Sequence, residues 1–193
     1  MPFLYDNLTA TVAGLTVILI LASLQMRMTK SSVTQTGRKA ALNQAESFAT
    51  WLEDDLGRMG RNREEGEVFS MGSRSDEEAS PTGAVLRDFT FYSEDDTGTE
   101  TTVEYTIEEE DSDEQTLYEL TRNGGDGQAT RLGYFDVRFL DRDAEVISNP
   151  EANEGRIQSV RVQFSVVAPF QNDQTDVGEV HRMVVVPYAP AQG

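Results

Sequence analysis

The chain contains no cysteine, one histidine and two lysines, Lys30 and Lys39, and it has no proline between Pro2 and Pro81. The first absence excludes disulfides, zinc–thiolate sites and a thiol nucleophile. The second leaves no multi-histidine metal site. His181 falls in a strand pattern, on the face of Met183 and Val185, and is read as a structural imidazole with its hydrogen bonds satisfied, since no base partner is evident. Basic residues are scarce as a class: 16 Lys and Arg stand against 34 Asp and Glu, for a formal net charge of -18 at pH 7. Such a chain repels phosphate backbones, so nucleic acid is excluded as a partner. The acidity is read as a solvated surface. No Walker or dinucleotide glycine motif occurs: Asn123 to Gly127 is glycine-rich but lacks the lysine and the following helix. Asp111-Ser112-Asp113-Glu114 lacks the central glycine and late glutamate of a calcium loop, and Asp141, Asp143 and Glu145 read as a surface turn. No nucleophile, general base or metal cluster stands out. The expectation is a protein that is not an enzyme and carries no cofactor.

The missing prolines leave room for one long helix. Leu8 to Leu24 is an uncharged run of Leu, Val, Ile, Ala and Thr with one Ser and one Gly. Extended to Met28 it makes about 17–21 residues, the short end of what spans a bilayer. It continues into an amphipathic stretch. Ala41, Ala45, Phe48, Leu52, Leu56 and Met59 are spaced by three or four, which puts them on one helix face. Glu46, Glu53, Asp54 and Arg58 lie mostly off that stripe. Phe48, Trp51, Leu52 and Leu56 are therefore the expected helix-to-domain packing residues. Thr29 to Lys39, rich in Ser, Thr and Gln, is expected to face solvent or neighbouring helices, with Gly37 weakening the helix locally. A rod from about residue 5 to 59 would be roughly 80 Å long.

Three readings of the apolar run compete. A secretory signal would need a basic leading segment and a small-x-small cleavage site, and neither is present. A plain transmembrane anchor fits the length. The preferred reading is a helix that sits in the membrane first and then packs into a filament core, because the helix does not stop at the membrane edge.

The chain divides into three pieces: the helix over 1–59, an acidic loop over 60–83 with Val68, Phe69 and Met71 pinning its middle, and a β domain over 84–193. After Gly83 the period becomes two. Val85–Tyr92, Thr101–Glu109, Thr116–Arg122, Thr130–Leu140, a strand around Val160–Val166, and Val180–Val186 read as strands. Asn123 to Gly127 reads as a hairpin connection, since Asn and Gly tolerate positive φ. Val180–Val186 is apolar on both faces in its second half, which suits a central strand. The fold class is α+β, a long N-terminal helix packed on a meandering antiparallel sheet.

The apolar helix, its amphipathic continuation, the acidic loop and the ordered strand pairs together resemble the type IV pilin superfamily, including the minor pseudopilins of type II secretion systems. Gly14 falls where pilins commonly carry a helix-loosening glycine. The family usually has a glutamate at mature position 5. Here Tyr5 stands there, with the carboxylate at Asp6, which becomes fifth if Met1 is removed. Ala22 stands where a helix-breaking proline is common. The resemblance implies a structural subunit of an extracellular filament or secretion pseudopilus, stored in the inner membrane and then moved to the cell surface. Its partners would be copies of itself or related pilin-like subunits. Assembly would run through Asp6, Leu8, Val12, Gly14, Leu15, Ile18, Leu19 and Leu21, with Asp6 neutralising a neighbour's N-terminal ammonium. The cations Arg27, Lys30, Arg38 and Lys39 on the C-terminal flank favour a cytoplasmic domain by the positive-inside rule; a removed basic leader would reverse that. The alternative is a single-pass anchored component of an envelope complex that binds a partner through its β domain.

Overall fold

The computed structural model describes residues 2–60, 68–72, 86–94, 99–110, 117–123, 127–168 and 179–188, with side chains in the helix from residue 11 onward. The fold is α+β. One helix, α1 (Pro2–Leu56), precedes seven strands: β1 (Phe69–Met71), β2 (Asp88–Glu94), β3 (Glu100–Glu110), β4 (Leu117–Arg122), β5 (Gly127–Leu140), β6 (Ser159–Val167) and β7 (Glu179–Pro187). They form a single sheet in sequence order, each pair antiparallel. A short 3-10 helix, Glu151–Arg156, sits between β5 and β6.

α1 is 55 residues long, so it measures about 82 Å. It runs unbroken through the Ser- and Thr-rich middle, where its hydroxyls turn back on their own backbone. Thr34 Oγ1 donates to the Lys30 carbonyl (3.0 Å) and Thr36 Oγ1 to that of Ser32 (2.9 Å). That bonding removes the competition such residues otherwise offer to a helix. Gly37 lies within the helix and is buried. The rest of Thr29–Lys39 is exposed apart from half-buried Thr34, as expected, but Gly37 is a packing residue and not the weak point expected. Gly37, Ala41 and Ala45 are the narrow start of the docking stripe, where missing bulk lets the helix axis approach β7 and β6.

The stripe then widens. The ring of Phe48 meets Phe164 edge-on (centroids 4.8 Å) and Phe135 at 6.2 Å, and Trp51 meets Tyr105 edge-on at 6.0 Å. Leu52, Leu56 and Met59 are buried beside them. The helix thus crosses the sheet from β7 towards β3.

After a turn that follows Leu56, Gly60 takes φ +70° and donates its N–H to the Tyr92 carbonyl (2.8 Å). A Cβ there would lie 2.8 Å from Cγ1 of buried Val68. Gly60→Ala is expected to lower stability by about 1–2 kcal/mol, from the left-handed backbone and the crowding together. Urea unfolding followed by the fluorescence of Trp51 measures it.

The sheet curls. Phe69 of β1 stacks on Phe139 of β5 (centroids 4.2 Å, planes 19° apart), although three strands intervene in the order. In a flat sheet they would be about 19 Å apart. The Leu86 N–H donates to the Phe135 carbonyl (3.1 Å), which joins the two limbs. Leu86, Phe89, Phe91, Phe135, Phe139 and Phe164 fill the enclosed core.

Two further findings differ from expectation. The segment between Gly60 and Gly83 contains strand β1. It is only three residues long, too short for a period to show, and its outer end is closed by Glu151 Oε1, which accepts the Met71 N–H (2.8 Å). β7 is an edge strand, not a central one. Its apolar residues on both faces arise because Val184 and Val186 face the core while Met183 and Val185 stay exposed.

Candidate functional site

The candidate site is the half of α1 that the sheet leaves bare. Val17 to Leu21 are five consecutive apolar residues, all exposed. At 100° per residue they point to every side of the rod, so no face is left for water. Val12, Leu15 and Leu24 extend the surface along the axis, and the exposure reaches 68% at Leu19 and 74% at Met26. The hydroxyls within it are internally satisfied: Thr16 Oγ1 donates to the Val12 carbonyl and Ser23 Oγ to that of Ile20, both at 2.8 Å. The segment is therefore sealed for a medium without water. By length and composition this helix can cross a membrane, and no part of its most apolar window is buried within the subunit. Moving each large side chain out of water is worth on the order of 1–2 kcal/mol.

Of the residues expected to assemble, Val12, Gly14, Leu15, Ile18, Leu19 and Leu21 stand exposed on this free half, with nothing within 4 Å of a Cβ built at Gly14. The side chains of Asp6 and Leu8 lie outside the described residues. Among the packing residues, Phe48, Leu52 and Leu56 are buried and Trp51 is half-buried.

The joint between rod and sheet depends on a residue that apolar periodicity passes over. Asp55 is 3% exposed. Its Oδ2 accepts from the Tyr105 hydroxyl (2.6 Å) and from Arg122 Nε (2.7 Å), and its Oδ1 from Arg122 Nη2 (3.0 Å). The Arg122 guanidinium also lies over the Trp51 ring, 5.8 Å from its centroid. One helix carboxylate thus clamps β3 and β4 at once. The signal was present in the spacing: Asp55 falls three after Leu52 and four before Met59, on the buried stripe, where a carboxylate requires partners.

Burial, and next the hydrogen bond to Asp55, push the Tyr105 phenol well above its ordinary 10.0. Burial, and next the bond to Glu154 Oε1 (2.7 Å), do the same to Tyr188. Both phenols keep their protons in the folded chain at a pH where the unfolded chain loses them. Their contribution to stability is whole below about pH 10 and is lost as the pH rises beyond it. Alkaline titration is expected to show the tyrosinate absorbance of these two only on unfolding, and Tyr105→Phe with Tyr188→Phe should flatten the alkaline loss.

Among the described residues no group of three or more His, Asp or Glu could hold a metal ion. The oxygens of Asp141 are taken up locally: Oδ1 accepts the N–H groups of Asp143 and Glu145 (both 3.0 Å), and Oδ2 faces Arg156 at 3.4 Å. The Asp111–Glu114 turn lies outside the described residues. His181 is an exposed edge-strand residue, 3.6 Å from Glu179 Oε2, and not the satisfied structural imidazole expected. The reason is that His181 lies on the face of β7 turned away from the core, together with exposed Met183 and Val185. A cleft of about 310 Å3 between β1 and residues 146–151 has Arg138 and Glu151 as its charged lining.

No protein-family model matches the chain, and no curated protein is significantly similar to it.

Proposed function

We propose that this chain is a pilin-like structural subunit, held in a membrane by the free half of α1 and assembled into a filament when those halves pack together. One observation carries the reading: the apolar segment and the docking stripe belong to a single unbroken helix. A plain anchor needs only a span, and a flexible linker is the usual joint between span and domain. A rigid rod fixes each head at a set height and azimuth over its span. That constraint serves a lattice in which heads must repeat. Packing among sister helices would cover the surface that the sheet leaves bare.

The second reading, a single-pass anchored component of an envelope complex, is favoured by the cations Arg27 and Lys30 immediately after the apolar run, the usual flank of a permanent span.

Electron microscopy of the full-length protein decides between them: helical fibres support the first reading, discrete particles the second. Asp6→Ala is expected to impair fibre formation and leave thermal unfolding of the β domain unchanged, because an unpaired charge in a dry helix core costs several kcal/mol. Normal fibres from that variant would remove Asp6 from the assembly contacts.

A further inference from the structure

The charges of this chain are segregated along its length. Residues 1–45 hold four cations, Arg27, Lys30, Arg38 and Lys39, against the single carboxylate Asp6; all of the acidic excess lies beyond. The four cations are exposed and form no ion pair within the subunit among the described residues, whereas Arg58, Arg87, Arg122, Arg138 and Arg156 each pair with a carboxylate. Arg27, Lys30 and Arg38 fall within about 80° of arc, on the side of the rod that carries Gly37, Ala41 and Ala45.

The complementary surface is on the sheet. In β2–β4, Phe89, Tyr105, Ile107 and Leu120 face inward and are buried, so the alternate residues face outward. Asp88, Glu104, Glu108 and Glu119 lie on that outer face, interleaved with threonines and with no Lys or Arg.

We infer that the cationic collar of one subunit receives the acidic outer face of β2–β4 of a second copy of this chain. The inference rests on the filament reading and names the contact that sets the registry of heads along the rods. Among the described residues nothing in the same subunit fills the collar. The inner face of β2–β4 meets its own helix through Tyr105, so the acidic face points away from its own rod. Lipid headgroups do not fill it either. Arg38 lies fourteen residues past Leu24, about 21 Å along the axis, whereas the headgroup layer is about 5–8 Å deep. Anionic lipid reaches Arg27 and Lys30 and leaves the upper pair bare. The dimensions agree: Arg27 to Lys39 spans about 18 Å of helix, and Glu104 to Glu108 about 14 Å of strand.

The test uses the full-length chain, released from detergent, with assembled protein measured by sedimentation and the fold checked by Trp51 fluorescence. Arg38→Glu with Lys39→Glu is expected to lower the assembled fraction about tenfold at low salt, as is Glu104→Lys with Glu108→Lys. All four changes in one chain should restore it, and rising salt should weaken wild-type assembly. Because the chain has no cysteine, a second readout needs no charge reversal: Arg38→Cys chains mixed with Glu104→Cys chains and treated with a mild added oxidant should form a disulfide between copies. Fibres that ignore salt and both reversals, with no cross-link, overturn the collar contact and leave the filament reading standing. A collar reversal that lowers only binding to anionic vesicles overturns it in favour of lipid. A wild-type chain that forms no fibres in any condition ends the filament reading and this contact with it.

Discussion

Asp55→Ala will cost the folded head about 3 kcal/mol. Asp55 bonds side chains of β3 and β4 at once, through Tyr105 and Arg122. Its removal leaves the Tyr105 hydroxyl, on a residue with 0% exposure, without its acceptor, a loss of about 1–3 kcal/mol. It also takes from the guanidinium of Arg122, which lies over Trp51, the carboxylate that pairs with it. Removing one partner of a buried pair typically costs about 3–5 kcal/mol, and the lower end applies because the Arg122 side chain keeps 21% of its surface in solvent. Arg122→Leu should cost at least as much, because the stranded charge is then the deeply buried carboxylate. Tyr105→Phe, which deletes one hydrogen bond and keeps the ion pair, should cost only about 1 kcal/mol. Urea unfolding followed through Trp51 reports all three, since that indole stacks in the same cluster. A loss below about 1 kcal/mol for Asp55→Ala would mean that apolar packing alone joins rod to sheet.

Ile18→Asp is expected to release the protein from membranes and abolish assembly while leaving the melting of the head unchanged. Ile18 sits in the middle of the exposed apolar surface, 62% accessible and with apolar neighbours on every side. A carboxylate at the centre of a span costs about 3 kcal/mol on the insertion scale, and the lost isoleucine removes about 0.5 kcal/mol more. The run from Leu8 to Leu24 is close to the minimum for crossing a bilayer, so it has little margin to absorb that sum. The sheet is untouched, because its docking stripe begins at Gly37. Partition between membrane and soluble fractions measures the first effect and calorimetry the second. A variant that stays in the membrane would show that the run is held by something other than its hydrophobicity.

These two substitutions mark the boundary of what the sequence made legible. The apolar rod, the stripe from Ala41 to Met59 and strands β2–β7 are all visible as periods, because period survives wherever one side of an element meets the core and the other meets water. Phe135, Val137 and Phe139 alternate with Asp136 and Arg138 as a half-buried strand should. Three things were hidden for different physical reasons. β1 is too short to express a period. The edge position of β7 was masked because exposed valine at a sheet margin has the same composition as buried valine at its centre. Asp55 belongs to a polar clamp, and a hydrophobic stripe registers a carboxylate as an interruption unless its distant partners, Tyr105 and Arg122, are known. The reading of Gly37 failed in the opposite direction. Glycine costs a helix about 1 kcal/mol of propensity, yet its small size brings helix and sheet close here, and that contact outweighs the cost.

The unbroken helix also makes the subunit a lever. With no hinge between head and tip, the free part of the rod, from Pro2 to about Thr36, acts as a stiff arm of about 50 Å. Rocking the head by about 10° swings the far end through roughly 9 Å, close to one interhelical spacing. Tension on the head reaches the tip without slack, so the molecule answers a pull by sliding or unfolding and not by stretching.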